Sequence, residues 1–321
     1  MLKIIPYSAE WRERWEQFVW GSNNGTLFHT RRFLQYHPAH RFKDHSLLFL
    51  GNEKILAVMP GAEKRTEDGR SLISHPGASF GGLVVPKTIN LRAAFQLVNS
   101  LLDYCSFTGI EAIDLTVSPI FYSEKINHYI DFALMKNGFA YRKREVSSFV
   151  TLDFAADAVL SNFKDEAGRA VRRAQKLGVQ VRQSSDTAGF YEILKRNLKL
   201  RHNVQPAHSL EELNHLCELF PQSIRLYGAY LDNKLIAGVV MFNCNKLVTL
   251  AFYVSHDEAY QKYRAVNLLF FEIIRVSIEQ QFRYLDFGIF TVDMQPNWGL
   301  ARFKENFGSK GIFRDSFMKV L

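Results

Sequence analysis

Arg225-Leu226-Tyr227-Gly228-Ala229-Tyr230-Leu231, then Asp232-Asn233-Lys234, then Leu235-Ile236-Ala237-Gly238-Val239-Val240-Met241 is two β-forming runs around a turn sequence, the pattern of a β-hairpin. An earlier passage has the same grammar: Ser46-Leu47-Leu48-Phe49-Leu50, the turn Gly51-Asn52-Glu53-Lys54, and Ile55-Leu56-Ala57-Val58-Met59. Each hairpin leads through a further strand to a helix, about Leu91 to Cys105 and Val266 to Gln281, whose apolar residues recur at three- and four-residue spacings. Each helix then meets a strand containing an aspartate, Ala112-Ile113-Asp114-Leu115 and Tyr284-Leu285-Asp286-Phe287. Helices also precede each hairpin, Trp11 to Val19 and Thr30 to Tyr36 in the first half, Ala188 to Leu200 and Leu210 to Leu219 in the second. Self-similarity of this kind implies a tandem duplication of one α/β (α+β) unit. Antiparallel pairing early and a helical crossover late predict a mixed β-sheet flanked by helices in each copy, with domains at 1–148 and 149–321.

A chain of 321 residues exceeds what one core usually holds, which agrees with two domains. With 47% apolar and 22% charged residues the chain is not of the disordered class. The net charge is +8; residues 1–150 hold 18 Lys+Arg against 14 Asp+Glu and residues 151–321 hold 22 against 18, so each part is +4 and there is no basic tail. An anionic partner fits this balance, whereas a disordered nucleic-acid arm does not. The N-terminal residues lack the ~7–15-residue apolar run of a signal peptide, and no stretch reaches the ~18 apolar residues of a membrane span, so the expected location is cytoplasmic. Cys105, Cys217 and Cys244 form no metal or redox motif and read as packing residues. His29, His37, His40 and His45 crowd together, but their spacing fits no zinc pattern, and no metal is expected.

Between the halves, Glu145 to Phe154 is rich in β-formers and a helix is expected from about Ala156 to Leu177, stopped by Gly178. On it Arg169, Arg172, Arg173 and Lys176 make one basic stripe, readable as a solvated face or as a contact for ligand phosphates or RNA. Near the C-terminus stands Gly299-Leu300-Ala301-Arg302-Phe303-Lys304-Glu305-Asn306-Phe307-Gly308.

Two tandem units of this order, the Phe303-Lys304 pair followed by Phe307-Gly308, and the segment Arg172-Arg173-Ala174 to Gly178-Val179 resemble the FemAB-like transferases of the GNAT (acyl-CoA N-acyltransferase) superfamily. Arg201, Tyr253 and Asp286-Phe287-Gly288 are weaker matches, and Pro119 follows Ser118 where that family often has an acidic residue. The resemblance implies amide formation: an amine of a phosphorylated small-molecule or cell-envelope precursor attacks an activated acyl donor, aminoacyl-tRNA or acyl-CoA, held as a co-substrate with no tightly bound cofactor. A non-catalytic ligand-binding module is the opposing reading, and oligomeric state is left open. Amide formation needs an oxyanion donor, for which Lys304 is the candidate, and a base for the amine proton, for which Asp286 is the candidate beside the alternative of a strand-end turn former. If Lys304 is the donor, Lys304→Ala should cost roughly 10² to 10³ in turnover and leave the melting temperature nearly unchanged.

Phe303, with Phe307, should anchor Lys304; Phe303, Arg201 and Tyr253 are implied substrate contacts. Arg31 and Arg32, on a helix capped by Thr30, are read as contacts for an anionic acceptor in a cleft between the halves. The loop Gln261-Lys262-Tyr263-Arg264-Ala265-Val266-Asn267 stands where acyl-CoA enzymes place glycines around the pyrophosphate. It has none, which favours the charged tRNA as donor, although Lys262 and Arg264 could still hold phosphates by charge. His75-Pro76-Gly77-Ala78-Ser79-Phe80-Gly81-Gly82 reads as a substrate-lining loop or a plain turn.

Overall fold

A computed structural model describes residues 2–38, 40–66, 69–202 and 205–321. The chain divides into two compact units, Met1–Glu145 with Phe313–Leu321, and Val146–Ile312. The last nine residues, assigned by sequence to the second domain, therefore belong to the first unit.

The first unit runs β1 (Leu2–Pro6), α1 (Arg12–Gly21), α2 (Arg31–Leu34), β2 (Lys43–Asp44), β3 (Leu47–Gly51), β4 (Lys54–Met59), β5 (Gly61–Thr66), β6 (Gly69–Ser74), α3 (Leu91–Thr108), β7 (Ala112–Thr116), α4 (Tyr129–Lys136) and the start of β8 (Ala140–Thr151). Strands β1, β3 and β4 form an antiparallel sheet. Beyond Pro60, which lacks the N–H a ladder needs, β5 continues into a second sheet with β2 and β6, and β6 pairs β7 in parallel. The crossover is α3, capped at its start by Asn90 Oδ1 on the Ala93 N–H and ended by Gly109 at φ 68°. Its buried Leu97, Val98, Leu101 and Cys105 pack with Leu47, Phe49, Ile113 and Leu115. The opposite face of β3, Leu48 and Leu50, packs on Trp15 and Val19 of α1, so this strand is apolar on both sides.

The second unit runs from the rest of β8 through α5 (Asp165–Lys176), β9 (Gln180–Ser184), α6 (Thr187–His202), α7 (Leu210–Leu219), β10 (Ile224–Leu231), β11 (Lys234–Asn243), β12 (Val248–His256), α8 (Ala265–Glu279), β13 (Tyr284–Ile289), β14 (Thr291–Val292), β15 (Gln295–Pro296) and α9 (Trp298–Glu305) to the start of β16 (Lys310–Val320), whose remainder pairs β7 in the first unit. β9 to β12 are successive antiparallel neighbours, β12 and β13 are parallel with α8 as crossover, and β13 pairs residues 147–151 of β8 antiparallel. Val171 and Ala174 of α5 and Leu268, Leu269, Ile273 and Ile274 of α8 bury against Ile236, Val239 and Met241. Each such valine, leucine, isoleucine or methionine burial contributes roughly 1.5–3 kcal/mol.

The mixed sheet expected in each copy is present, and the repeat is closer than the sequence alone suggested. Asn52 and Glu53 turn at φ 47° and 66°, Asp232 and Asn233 at 47° and 64°. Both hairpins slip register at the same distance from the turn, between Phe49 and Leu50 and between Ala229 and Tyr230. A two-residue turn with both φ positive matches the strand twist, which explains its retention in each unit. One helix differs from expectation: residues 156–162 are a 3₁₀ turn, the chain extends through Phe163 and Lys164, and α5 begins at Asp165, the Lys164 N–H being taken by the Asn306 carbonyl. Among the described residues no helix is long and apolar enough to cross a membrane.

Candidate active site

The short helix α9 is fixed at its start by Asn297, whose Oδ1 accepts from the Leu300 N–H, and its buried residues are Ala301 and Lys304. Phe303 is half-buried and meets Phe307 edge-on at 5.1 Å. Phe307, fully buried, also packs on Phe163, Phe270 and Phe287. An aromatic base therefore holds the end of α9, as expected, but Lys304 itself points inward and is 6% exposed.

Lys304 Nζ donates to the carbonyl oxygens of Gly288 at 2.7 Å and Ile289 at 2.8 Å. These carbonyls lie at the end of β13, where the ladder with β8 slips between Asp286 and Ile289 and Gly288 takes φ 73°. Burial pushes the Lys304 ammonium down to about 8, and the Asp286 charge works against that fall. An ammonium with two of its three donors held by carbonyls keeps one direction for an incoming oxygen.

Asp286 is 1% exposed, and its Oδ1 accepts from the Ser147 hydroxyl at 2.8 Å and the Gly288 N–H at 2.7 Å. These bonds suit a strand-end turn former, the alternative raised for this residue. Sequence reading missed Ser147, which sits 139 positions away and carries no motif, and the carbonyls of Gly288 and Ile289, which no side-chain pattern reveals.

Among the described residues, no hydrogen bond or ion pair joins the other expected contacts of this unit to Lys304. Tyr253, buried on β12, accepts from the His208 N–H and bonds its Nδ1 at 2.8 Å, and burial pushes its phenol up to about 12. Arg201 lies in α6, and its side chain is outside the described residues. Arg169, Arg172, Arg173 and Lys176 are all exposed, while α5 buries Ala167, Gly168, Val171 and Ala174 on its other side. Lys262 and Arg264 are exposed; Arg264 takes φ 56°, the conformation glycine would supply, immediately before α8.

In the first unit, Arg31 is buried rather than presented to solvent. It pairs with Asp44 at 2.6 Å, donates to Ser46 at 2.7 Å and lies 3.9 Å above the Tyr7 ring. Its charge is thus already answered inside the unit. Arg32 is exposed. Arg31 and Asp44 line a pocket of about 240 Å³ with His37, Phe42 and His75. Thr30 caps α2 as expected, accepting from the Phe33 N–H. Burial pushes His29 and His75 down to about 4, so both are neutral at ordinary pH. Among the described residues no three His, Cys, Asp or Glu side chains are grouped as metal ligands.

Residues 161–305 match the family model described as an acetyltransferase (GNAT) domain. Among solved structures, FemX aligns over 99% of this chain and 97% of its own at 13% identity with a TM-score of 0.75. A tandem GNAT protein from the clavulanic acid biosynthesis pathway aligns over 100% and 98% at 11% identity and 0.60. The C-terminal domain of a putative lysylphosphatidylglycerol synthetase from Agrobacterium fabrum aligns over 97% and 92% at 12% identity and 0.59. None of the curated proteins matches the sequence. At such identities the likeness is one of fold, and that fold is a tandem pair of GNAT-like units of FemX-like architecture.

Proposed function

We propose that this chain, whose residues 161–305 match the GNAT acetyltransferase domain model, is an amide-forming acyl or aminoacyl transferase acting on an amine of a phosphorylated cell-envelope precursor. The observation that carries the reading is the buried ammonium of Lys304, aimed by two backbone carbonyls from an aromatic base. Amine nitrogen attacks the acyl carbon, the carbonyl oxygen gains charge, and Lys304 supplies a preorganised N–H to it in a site with little competing water. Collapse of the intermediate expels the ester oxygen of a charged tRNA, and the proton lost by the amine ends on that leaving oxygen. The exposed basic face of α5 suits the tRNA phosphates, and Arg32 remains a candidate contact for the acceptor's anion.

Acyl-CoA is the second reading, because one observation favours it. Arg264 adopts the left-handed backbone of the missing glycine and α8 begins at once behind it, which leaves helix N–H groups for a pyrophosphate. Titration of the purified chain with acetyl-CoA and, separately, with aminoacylated tRNA separates the donors. Saturable stabilisation by acetyl-CoA alone overturns the tRNA preference. Turnover that is unaffected by Lys304→Met overturns the transferase site.

A further inference from the structure

We propose that Asp286 and Ser147 are positioning residues that build the turn on which Lys304 is held, rather than groups that exchange protons with substrate. The inference rests on the transferase reading for its kinetic arm only. Between β8 and β13 the register passes from Asp286 opposite Phe149 to Ile289 opposite Ser147, so three steps on one strand meet two on the other. A bulge of this kind takes carbonyls out of the ladder and re-aims them. Here the re-aimed carbonyls are those of Gly288 and Ile289, and both accept from Lys304 Nζ.

Two hydrogen bonds close the bulge. Asp286 Oδ1 accepts from the Gly288 N–H two residues ahead, which sets the left-handed glycine, and from the Ser147 hydroxyl on the facing strand. Ser147 is 1% exposed, so neither partner is replaced by bulk water. The chain of contacts runs Ser147 to Asp286 to the Gly288 turn to Lys304. With Oδ1 committed twice at the strand end, the carboxylate is aimed at backbone and hydroxyl, the geometry of a turn staple. Its charge acts on Lys304 as well. Arg302 and Glu305, the charged residues flanking Lys304 in the sequence of α9, are exposed and pair with Glu166 and Lys164.

Asp286→Asn keeps an oxygen for both hydrogen bonds and removes the charge, Ser147→Ala removes one bond and keeps the charge, and Asp286→Ala removes both. The titration of Lys304 is read in the free protein by pH-dependent competitive amine labelling with mass spectrometry, without substrate. Asp286→Asn should fold and shift the Lys304 midpoint down by about 1 pH unit. Ser147→Ala should leave that midpoint nearly in place and lower kcat roughly 5-fold with KM unchanged. Unshifted labelling in Asp286→Asn overturns the proposal. So does loss of kcat at every pH in Asp286→Asn with Lys304 titrating normally, since that is the behaviour of a general base. If Lys304→Met leaves turnover intact, the transferase reading fails while the labelling result still decides the positioning role.

Discussion

The carbonyl that receives Lys304 Nζ at 2.7 Å belongs to Gly288, a residue in the left-handed region. A Cβ added there would meet nothing within 4 Å, so Gly288→Ala introduces backbone strain and no clash. The strain costs about 1–2 kcal/mol, partly offset by the lower entropy of the unfolded alanine chain. Urea unfolding should therefore show a net loss near 1 kcal/mol, with a larger fractional loss of turnover because the carbonyl is the seat of the ammonium. Equal activity at wild-type KM and kcat would show that the seat tolerates re-aiming.

Burial changes what truncation of Lys304 tests. The expectation that Lys304→Ala leaves the melting temperature alone supposes an exposed side chain, but this one is enclosed and satisfies two carbonyls. Alanine leaves a cavity and unpaired acceptors, and a stability loss of about 2–4 kcal/mol should appear in denaturant titration. Lys304→Met keeps most of the volume and removes an ammonium that burial disfavours, so it should fold far better than the alanine variant. Its turnover should still fall roughly 10² to 10³.

Acidity should act on the two units differently. Lys304 needs its proton to donate, and burial has brought it down to about 8, so kcat should decline as pH rises through that value. Between about 8 and the ordinary 10.5 the unfolded chain binds more protons at this residue than the folded one, so this group makes stability rise with pH across that window. His29 and His75 sit at about 4 when folded and 6.5 when unfolded. The unfolded state again binds more protons between those values, so the first unit should lose stability as pH falls from 6.5 to 4. His29→Gln should flatten that acid limb in thermal melts.

Arg172, Arg173 and Lys176 are exposed on the face of α5 opposite its buried residues. Replacing all three with alanine should change stability by less than about 0.5 kcal/mol per site. If the stripe contacts tRNA, affinity for charged tRNA should drop and the slope of log K against log salt should lessen by about 0.7–0.9 per lost phosphate contact. An unchanged slope would mark the stripe as a solvated face.

The hairpins and crossover helices were legible because their signals are local. Asp232-Asn233 and Asn52-Glu53 specify a turn within two residues, and Leu97, Leu101 and Cys105 declare a buried face within a few helical turns. What the sequence hid is non-local. The spacing of Phe303 and Phe307 located an aromatic base but not the inward direction of Lys304, which depends on carbonyls from β13. Arg31, next to a cap, reads as a contact for an anionic acceptor, yet Asp44 and the Tyr7 ring arrive from elsewhere in the unit to enclose it. Ser147 lay 139 residues from its partner, with nothing in its neighbours to mark it.

The strand β16 sets an order on biosynthesis. Ser316 to Val320 pair with Thr116 to Ala112, so the first unit's sheet gains a strand only after the whole of the second has been translated. At about 5–20 residues per second, roughly 200 residues separate β7 from that partner, and for ten seconds or more the nascent chain exposes the β7 edge. The second unit has its own strands in hand by then and is free to fold first, against the usual N-to-C sequence. A released chain truncated just short of Phe313 should display a protease-sensitive first unit beside a resistant second one.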